Sequence, residues 1–253
     1  MTQLGARGAA LVFGTVLAVC ASAGHGADNW SYGGATGPVK WGTLDKQFVE
    51  CKLGQHQSPI DIPDARARKG DLPGLLFNYR PSPLAIVDNG HTVQVNYAPG
   101  SFVTVAGTRY ELVQFHFHKP AEEKISGKGH DMDVHLVHRG PDGKLAVVAV
   151  LLDAGKPNPL IRTLWDNVPK EKGKEAVLDA VKINAVELLP PNKGYYTFAG
   201  SLTTPPCSED VTWFVLKTPV TLSADEIARF GRLYPMNARP IQPVNDRDIL
   251  GTP

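Results

Sequence analysis

This 253-residue sequence has almost no excess charge of either sign: 26 Lys and Arg stand against 25 Asp and Glu, a formal net charge of +1. Without a basic excess it carries no electrostatic footprint for nucleic acid or an anionic lipid surface. It has no internal repeat, no low-complexity tract and no break in composition that would mark a second domain. Room for long helices is also scarce, because 21 prolines and 25 glycines interrupt the chain, and that favours a loop-rich β protein. With 42% apolar residues and balanced charge, the composition excludes disorder, collagen and coiled coil.

Long hydrophobic runs are missing too. Arg7 is the only charge before Asp28, an apolar stretch from Gly8 to Val19 follows it, and Ala21-Ser22-Ala23 offers small residues for cleavage. That pattern reads as a secretory signal peptide over residues 1–23. The stretch falls short of the roughly 20 residues a bilayer span needs, which makes a membrane anchor the weaker reading. A lipidated Cys20 is disfavoured by the bulky Val19 before it. Residues 24–253 then form a single domain, periplasmic or secreted. Loss of Arg7 with the leader removes the net charge. Cys51 and Cys207 remain, and an even number in an oxidising compartment favours a disulfide over two free buried thiols.

Turn signals such as Asp88-Asn89-Gly90, Ala98-Pro99-Gly100 and Gly140-Pro141-Asp142-Gly143 punctuate the chain. Between them the pattern predicts strands over Thr92 to Tyr97, Phe102 to Val105, Tyr110 to His118, Asp133 to His138, Leu145 to Leu152 and Val211 to Leu216. Leu145 to Leu152 is apolar enough to be covered on both faces. Asn158 and Pro159 suit the start of a short helix ending before Pro169. Ser223 with Glu226 forms a capping box, followed by an apolar stripe of Ile227, Phe230 and Tyr234. The expected fold is mainly β (α+β): one large, mostly antiparallel sheet with a few short peripheral helices.

Chemistry concentrates in two of these strands. Alternation in Gln114-Phe115-His116-Phe117-His118 puts Gln114, His116 and His118 on one face and the two phenylalanines on the other. The same rule aligns Asp133, His135 and Val137, and turns His138 toward the core with Leu136. If the strands are antiparallel neighbours, His135 approaches His116 and His118 across one pleat. Three neutral imidazoles on a rigid sheet suit a catalytic zinc site with an open fourth position. Each ligand needs a partner for its other nitrogen, and Gln114 and Asp133 lie on the correct face. His138 reads instead as a hydrogen-bonded core histidine, while His25, His56 and His130 have no constellation around them. A competing pattern is His116, His118 and Glu122, a His-x-His-x-x-x-Glu spacing that loosely resembles the first metal motif of cupins and suits iron or manganese. Tyr110 stands where that motif expects a glycine.

From Trp30 to about Pro243 the chain resembles the α-class carbonic anhydrases of exported bacterial type. The resemblance is carried by Gln57-Ser58-Pro59-Ile60, Asn89-Gly90-His91, Gln114 to His118, His135-Leu136-Val137-His138 and Gly200 to Cys207. Asn237, Arg239-Pro240 and Gln242-Pro243 complete it, all in the family's order. It implies a twisted sheet of about ten strands with a conical cleft reaching one zinc ion per chain. It also implies reversible hydration of carbon dioxide to bicarbonate and a proton by zinc-bound hydroxide. Carried over, His116, His118 and His135 are the zinc ligands, and Gln114, Asp133 and Asn237 are their outer partners. Thr203 and Glu122 become the pair that orients the nucleophile. His91 is the proton shuttle, with Tyr32, Asn89 and Gln94 along the polar side. Val137, Val147, Leu202, Thr204, Val211 and Trp213 form the substrate wall, and Cys51 and Cys207 match the family's disulfide. Carbon dioxide, bicarbonate and water are the implied partners, with sulfonamides and small anions as inhibitors. A homodimer is compatible, whereas nucleic acid and, after leader removal, a membrane span are not implied.

Three positions depart from the family's common pattern. Asp133 replaces a longer glutamate, which predicts a hydrogen bond to His135 that is either stretched or carried by water. Glu123 stands where a histidine is common and adds a charge beside Glu122. Phe198 replaces a tyrosine, removing a phenolic hydrogen bond near Ser58. A binding module with dead chemistry is the non-enzymatic alternative. Such proteins lose a zinc histidine, and all three are present here.

Overall fold

Turns cut the chain into short strands, and the computed structural model, which describes residues 29–253, pairs twelve of them into one sheet. The expected leader, Cys20 and His25 lie outside the described residues. In chain order the strands are β1 (Asp61–Ile62), β2 (Arg68–Lys69), β3 (Leu76–Asn78), β4 (Ser82–Asp88), β5 (Val93–Asn96), β6 (Phe102–Val105) and β7 (Thr108–His118). They continue with β8 (Lys124–Ile125), β9 (Met132–Arg139), β10 (Leu145–Ala154), β11 (Ala176–Ile183), β12 (Tyr195–Gly200), β13 (Val211–Leu222) and β14 (Leu250–Gly251). The main path runs β11-β4-β5-β7-β9-β10-β13-β12-β14-β2, and β1 and β8 form a separate pair. Pairing is mostly antiparallel, but β10–β13, β14–β2 and β1–β8 are parallel. The long strand β7 divides one of its edges, pairing β6 near its start and β5 near its end.

Every strand expected from the turn pattern is present, with bounds shifted by a few residues, and β13 runs on to Leu222. Strands β4, β11 and β12, and the short β1, β2, β3, β8 and β14, were not anticipated. They are held by pairing to neighbours distant in sequence, such as Ala176 with Ile86 and Phe198 with Trp213.

Period-two alternation divides the core. On one face Phe115, Phe117, Val134, Leu136, Val148 and Val150 pack with Trp165 and Phe230, while on the other Val137, Val147, Ala149, Leu151 and Trp213 form a second apolar layer. The first layer is covered by α3 (Pro159–Asp166) and α4 (Ala224–Leu233); α1 (Trp41–Leu44) and α2 (Glu50–Leu53) are single turns near the start. Asn158 Oδ1 accepts from the amides of Leu160 and Ile161, capping α3, and the Ser223–Glu226 capping box starts α4. Glu226 also accepts from the Asn158 amide, and the Trp165 indole donates to the Glu226 carbonyl at 3.0 Å, joining the two helices.

Cys51 and Cys207 form a disulfide across 156 residues of sequence. Closing a loop of that length is worth on the order of 5 kcal/mol in the chain-entropy description. The peptide bonds before Pro59, Pro120 and Pro206 are cis. Among the described residues, no helix is long and apolar enough to cross a membrane.

His138 is fully buried, and the Tyr79 hydroxyl donates to its Nε2 at 2.7 Å. Burial lowers its imidazole from the ordinary 6.5 to about 4. The unfolded chain therefore takes up this proton first, and the folded state loses stability as pH falls from about 6.5 through about 4. That loss should reach roughly 3 kcal/mol. Urea unfolding at pH about 7 and about 4 is expected to show a smaller acid loss for His138→Gln than for the wild type, by about that amount. Equal losses would remove His138 from the acid response.

Candidate metal centre

The antiparallel register of β7 and β9 sets His116 directly opposite His135 and His118 opposite Asp133. A bulge at Val113 shifts the register just before Gln114, and from there His116 and His118 share the face that carries His135. Ring nitrogens of His116, His118 and His135 lie within 4.8 Å of one another, close enough to hold one metal ion.

The remaining nitrogens are tied outward. His116 Nδ1 donates to Gln114 Oε1 at 2.8 Å, and His118 Nδ1 donates to the main-chain carbonyl of Asn237 at 2.8 Å. His135 is bound the other way round, with Nε2 donating to Glu123 Oε2 at 3.2 Å. These bonds leave Nε2, Nε2 and Nδ1 respectively to face the common point. His118 Nε2 is buried and has no hydrogen-bond partner. An orphaned imidazole nitrogen aimed at two others is what a metal ligand looks like before the metal binds. Three imidazole nitrogens within reach of one point fit zinc once each is unprotonated.

Asp133 was expected to meet His135 at a stretched distance, and it does. Its Oδ2 lies 3.5 Å from His135 Nε2 and is engaged by the Glu122 amide at 2.6 Å. Glu123, whose sequence position suggested only an extra charge, provides the nearer acceptor. Burial pushes the Glu123 carboxyl up to about 7, whereas the His135 imidazole holds Asp133 below its usual range against the effect of burial. Burial alone would lower His135, but Asp133 and Glu123 raise it well above the ordinary imidazole range. His116 moves the opposite way, well below that range, through burial and the two neighbouring imidazoles.

Glu122 lies outside the converging set. Its Oε1 accepts from the Arg239 amide at 2.6 Å, and its Oε2 is buried without a hydrogen-bond partner. No hydrogen bond joins it to Thr203, although Thr203 lines the cleft above the histidines. The cupin-like combination of His116, His118 and Glu122 is therefore not assembled.

The loop carrying Thr203 is pinned from below. Ser58 and Ser201 exchange hydrogen bonds, amide to hydroxyl in both directions, at 2.8 and 3.2 Å, and the Trp213 indole donates to the Ser201 carbonyl at 3.0 Å. Gly200 allows this approach, since a Cβ there would sit 2.3 Å from Ser58 Oγ. With Ser58 and Ser201 paired, Phe198 is free to lie parallel to Trp213 and no phenol is needed. The Arg239 guanidinium donates to Gln57, to the Ser58 carbonyl and to the Cys51 carbonyl, linking this layer to the disulfide.

The cleft has a volume of about 360 Å³. Tyr32, Asn89, His91 and Gln94 lie on its polar side, and Val137, Val147, Leu202, Thr204 and Trp213 line it elsewhere. Val211, expected on that wall, is buried in the same apolar layer as Val137, Val147 and Trp213 but does not itself line the cleft. His91 is set by the Asn89 side chain, which accepts from the amides of His91 and Thr92 at 3.0 and 2.9 Å. Its ring stacks on Trp30 at 3.7 Å and 7°, a contact the sequence did not suggest. His56 and His130 lie outside the cleft, His130 donating to Asp153 at 2.9 Å.

Fold and site together define a β-sheet protein with three clustered imidazoles, a candidate metal centre, lining an open, half-apolar cleft. The family model for eukaryotic-type carbonic anhydrase matches residues 36–252. A carbonic anhydrase of Nostoc sp. is 43% identical over 246 residues, covering 94% of this chain and 92% of that protein. A hyperthermostable carbonic anhydrase from an active hydrothermal vent chimney superposes with a TM-score of 0.85 at 46% identity, covering 88% of this chain and 100% of that one. The α-carbonic anhydrase of Thermovibrio ammonificans, solved with the inhibitor sulfanilamide, gives 0.85 at 40% identity over 89% of this chain and 100% of its own. The chain belongs to the eukaryotic-type, or α-class, carbonic anhydrase family, zinc-dependent enzymes of carbon dioxide hydration.

Metal uptake should be linked to proton release. A proton favoured on His135 by its two carboxylate neighbours has to leave before Nδ1 can bind a cation, so apparent zinc affinity is expected to keep rising as pH is raised through and above the ordinary imidazole range. Titration calorimetry in buffers of differing ionisation enthalpy counts that proton. An affinity flat across this range would argue against His135 as a ligand.

Proposed function

We propose that this chain catalyses reversible hydration of carbon dioxide at the His116–His118–His135 centre, with Thr203 and Glu122 orienting the nucleophile and His91 carrying the proton to buffer. The observation that carries the reading is the convergence of three imidazoles whose outer nitrogens are already committed, beneath a cleft with one polar and one apolar side. A zinc ion there supplies a Lewis acid that activates water as a nucleophile near neutral pH, as zinc is known to do in carbonic anhydrases.

The protein's own groups account for the remaining steps. A threonine hydroxyl has one proton to donate. Donated to Glu122 Oε2, the buried acceptor with no other partner, it leaves only lone pairs directed into the cleft. Thr203 then accepts a hydrogen bond from the attacking water and rejects any molecule that offers only an acceptor. Val137, Val147, Leu202 and Trp213 present an apolar wall to carbon dioxide, which has no net dipole and needs no hydrogen bond. Such a surface holds it loosely and favours fast exchange. The ordinary imidazole titrates near neutrality, so His91 can accept a proton from the cleft and pass it to solvent. Its place at the rim, on Trp30 and beside Tyr32, supports that role. Sulfonamides are expected to bind in the same cleft. The Cys51–Cys207 disulfide supports export, and we read residues 1–23 as the leader and 24–253 as one catalytic domain, periplasmic or secreted.

Stopped-flow hydration assays test the assignment. Thr203→Ala should lower kcat by about 10²-fold or more with zinc content unchanged, and unchanged turnover would exclude Thr203 from the mechanism. His91→Ala should lower turnover about 10-fold in weak buffer and recover when imidazole is added. Absence of that rescue would move the proton path elsewhere.

A further inference from the structure

Two carboxylates converge on His135 Nε2, a nitrogen with a single proton to give. Glu123 Oε2 takes it at 3.2 Å, while Asp133 Oδ2 stands at 3.5 Å and already accepts from the Glu122 amide. Both side chains are fully buried, and Glu123 Oε1 and Asp133 Oδ1 have no hydrogen-bond partner. Burying a carboxylate costs several kcal/mol unless a specific interaction offsets it. Among the described residues, the His135 ring N–H is the only hydrogen-bond partner of the Glu123 carboxylate. Geometry explains why Asp133 does not serve. It lies two residues before His135 on the same strand face and is one methylene shorter than glutamate. Glu123 approaches from the segment between β7 and β8.

We propose that Glu123, not Asp133, is the positioning residue for His135: its carboxylate fixes the Nε2–H tautomer and aims Nδ1 at the metal. The short Asp133 and the acidic Glu123 are then one coupled exchange, the outer acceptor having moved from strand β9 to the segment after β7. Asp133 keeps a different task, holding the Glu122 amide. The inference rests on the metal-centre reading above and concerns which residue supports one of its ligands.

Zinc loss from the holoprotein into excess chelator is the test, read together with the visible spectrum of the cobalt-substituted enzyme. Glu123→Leu should speed zinc loss about 10- to 100-fold, whereas Asp133→Asn, which still accepts from the Glu122 amide, should change it less than about threefold. Adding Asp133→Glu to Glu123→Leu should bring retention back to within about threefold of wild type, a rescue that lost packing at position 123 would not permit. The pH midpoint of the cobalt spectrum should fall in Glu123→Leu, because a less basic imidazole leaves more charge on the metal, and return in the double variant. Equal retention in Glu123→Leu, a larger loss in Asp133→Asn, or no rescue would each overturn the proposal. Should Glu123→Leu fail to fold, Glu123→His with Asp133→Glu must hold zinc like the wild type and Glu123→His alone must not, and any other result overturns it. A wild-type protein that binds no zinc would instead refute the metal centre itself.

Discussion

Bringing three imidazole nitrogens to one point is the demand around which this sheet is organised. Rings on adjacent antiparallel strands meet only if the register places them on the same face, and His116 opposite His135 satisfies that, with His118 one pleat further on. A slip of one residue would turn the histidines into the Phe117–Trp165 layer and bring phenylalanines into the cleft. The bulge at Val113 and the sharing of β7 between β5 and β6 pin that register from both sides. Pairing of β9 to β10 then places Val137 beside Val147, so the strand that carries His135 also contributes to the apolar wall.

Around the histidines the structure buries an unusual number of carboxylates. Glu122, Glu123 and Asp133 lie within one cluster, and Arg239 contributes a buried guanidinium whose main-chain amide also meets Glu122. Such a cluster is costly without compensation. A dication held by three neutral ligands would supply positive charge where it is needed, so the site's electrostatics and its proposed chemistry point to the same partner. The Ser58–Ser201 exchange and the Trp213 bond to Ser201 give the Thr203 loop a rigid floor without a tyrosine at position 198. The departure at Phe198 is absorbed by stacking, and the departures at Glu123 and Asp133 are absorbed together.

Much of the site was legible because strand alternation is local. The faces of Gln114, His116 and His118, the inward turn of His138 and the helix caps at Asn158 and Ser223 all follow from spacing over a few residues. The missing parts depend on contacts between distant segments. Glu123 meets His135 only because the chain after β7 folds back over β9, and Asn237, which the family resemblance named, serves His118 through its main-chain carbonyl, a detail side-chain identity does not reveal. Trp30 reaches His91 across 61 positions. Val211 shares the alternating pattern of Trp213, yet only Trp213 lines the cleft.

By itself the sequence determined which side chains share a face, where the chain turns, that two cysteines were available to pair, and that two strands each turned histidines toward the side of their polar neighbours. Those features are set by backbone periodicity and residue chemistry, which act over a handful of positions. Tertiary structure alone decided which acceptors hold His118 and His135, which apolar residues reach the cleft, and which carboxylate oxygens are left without a partner. Hydrogen bonds are won or lost over tenths of an ångström, and only the packing of segments remote in the chain sets distances that finely.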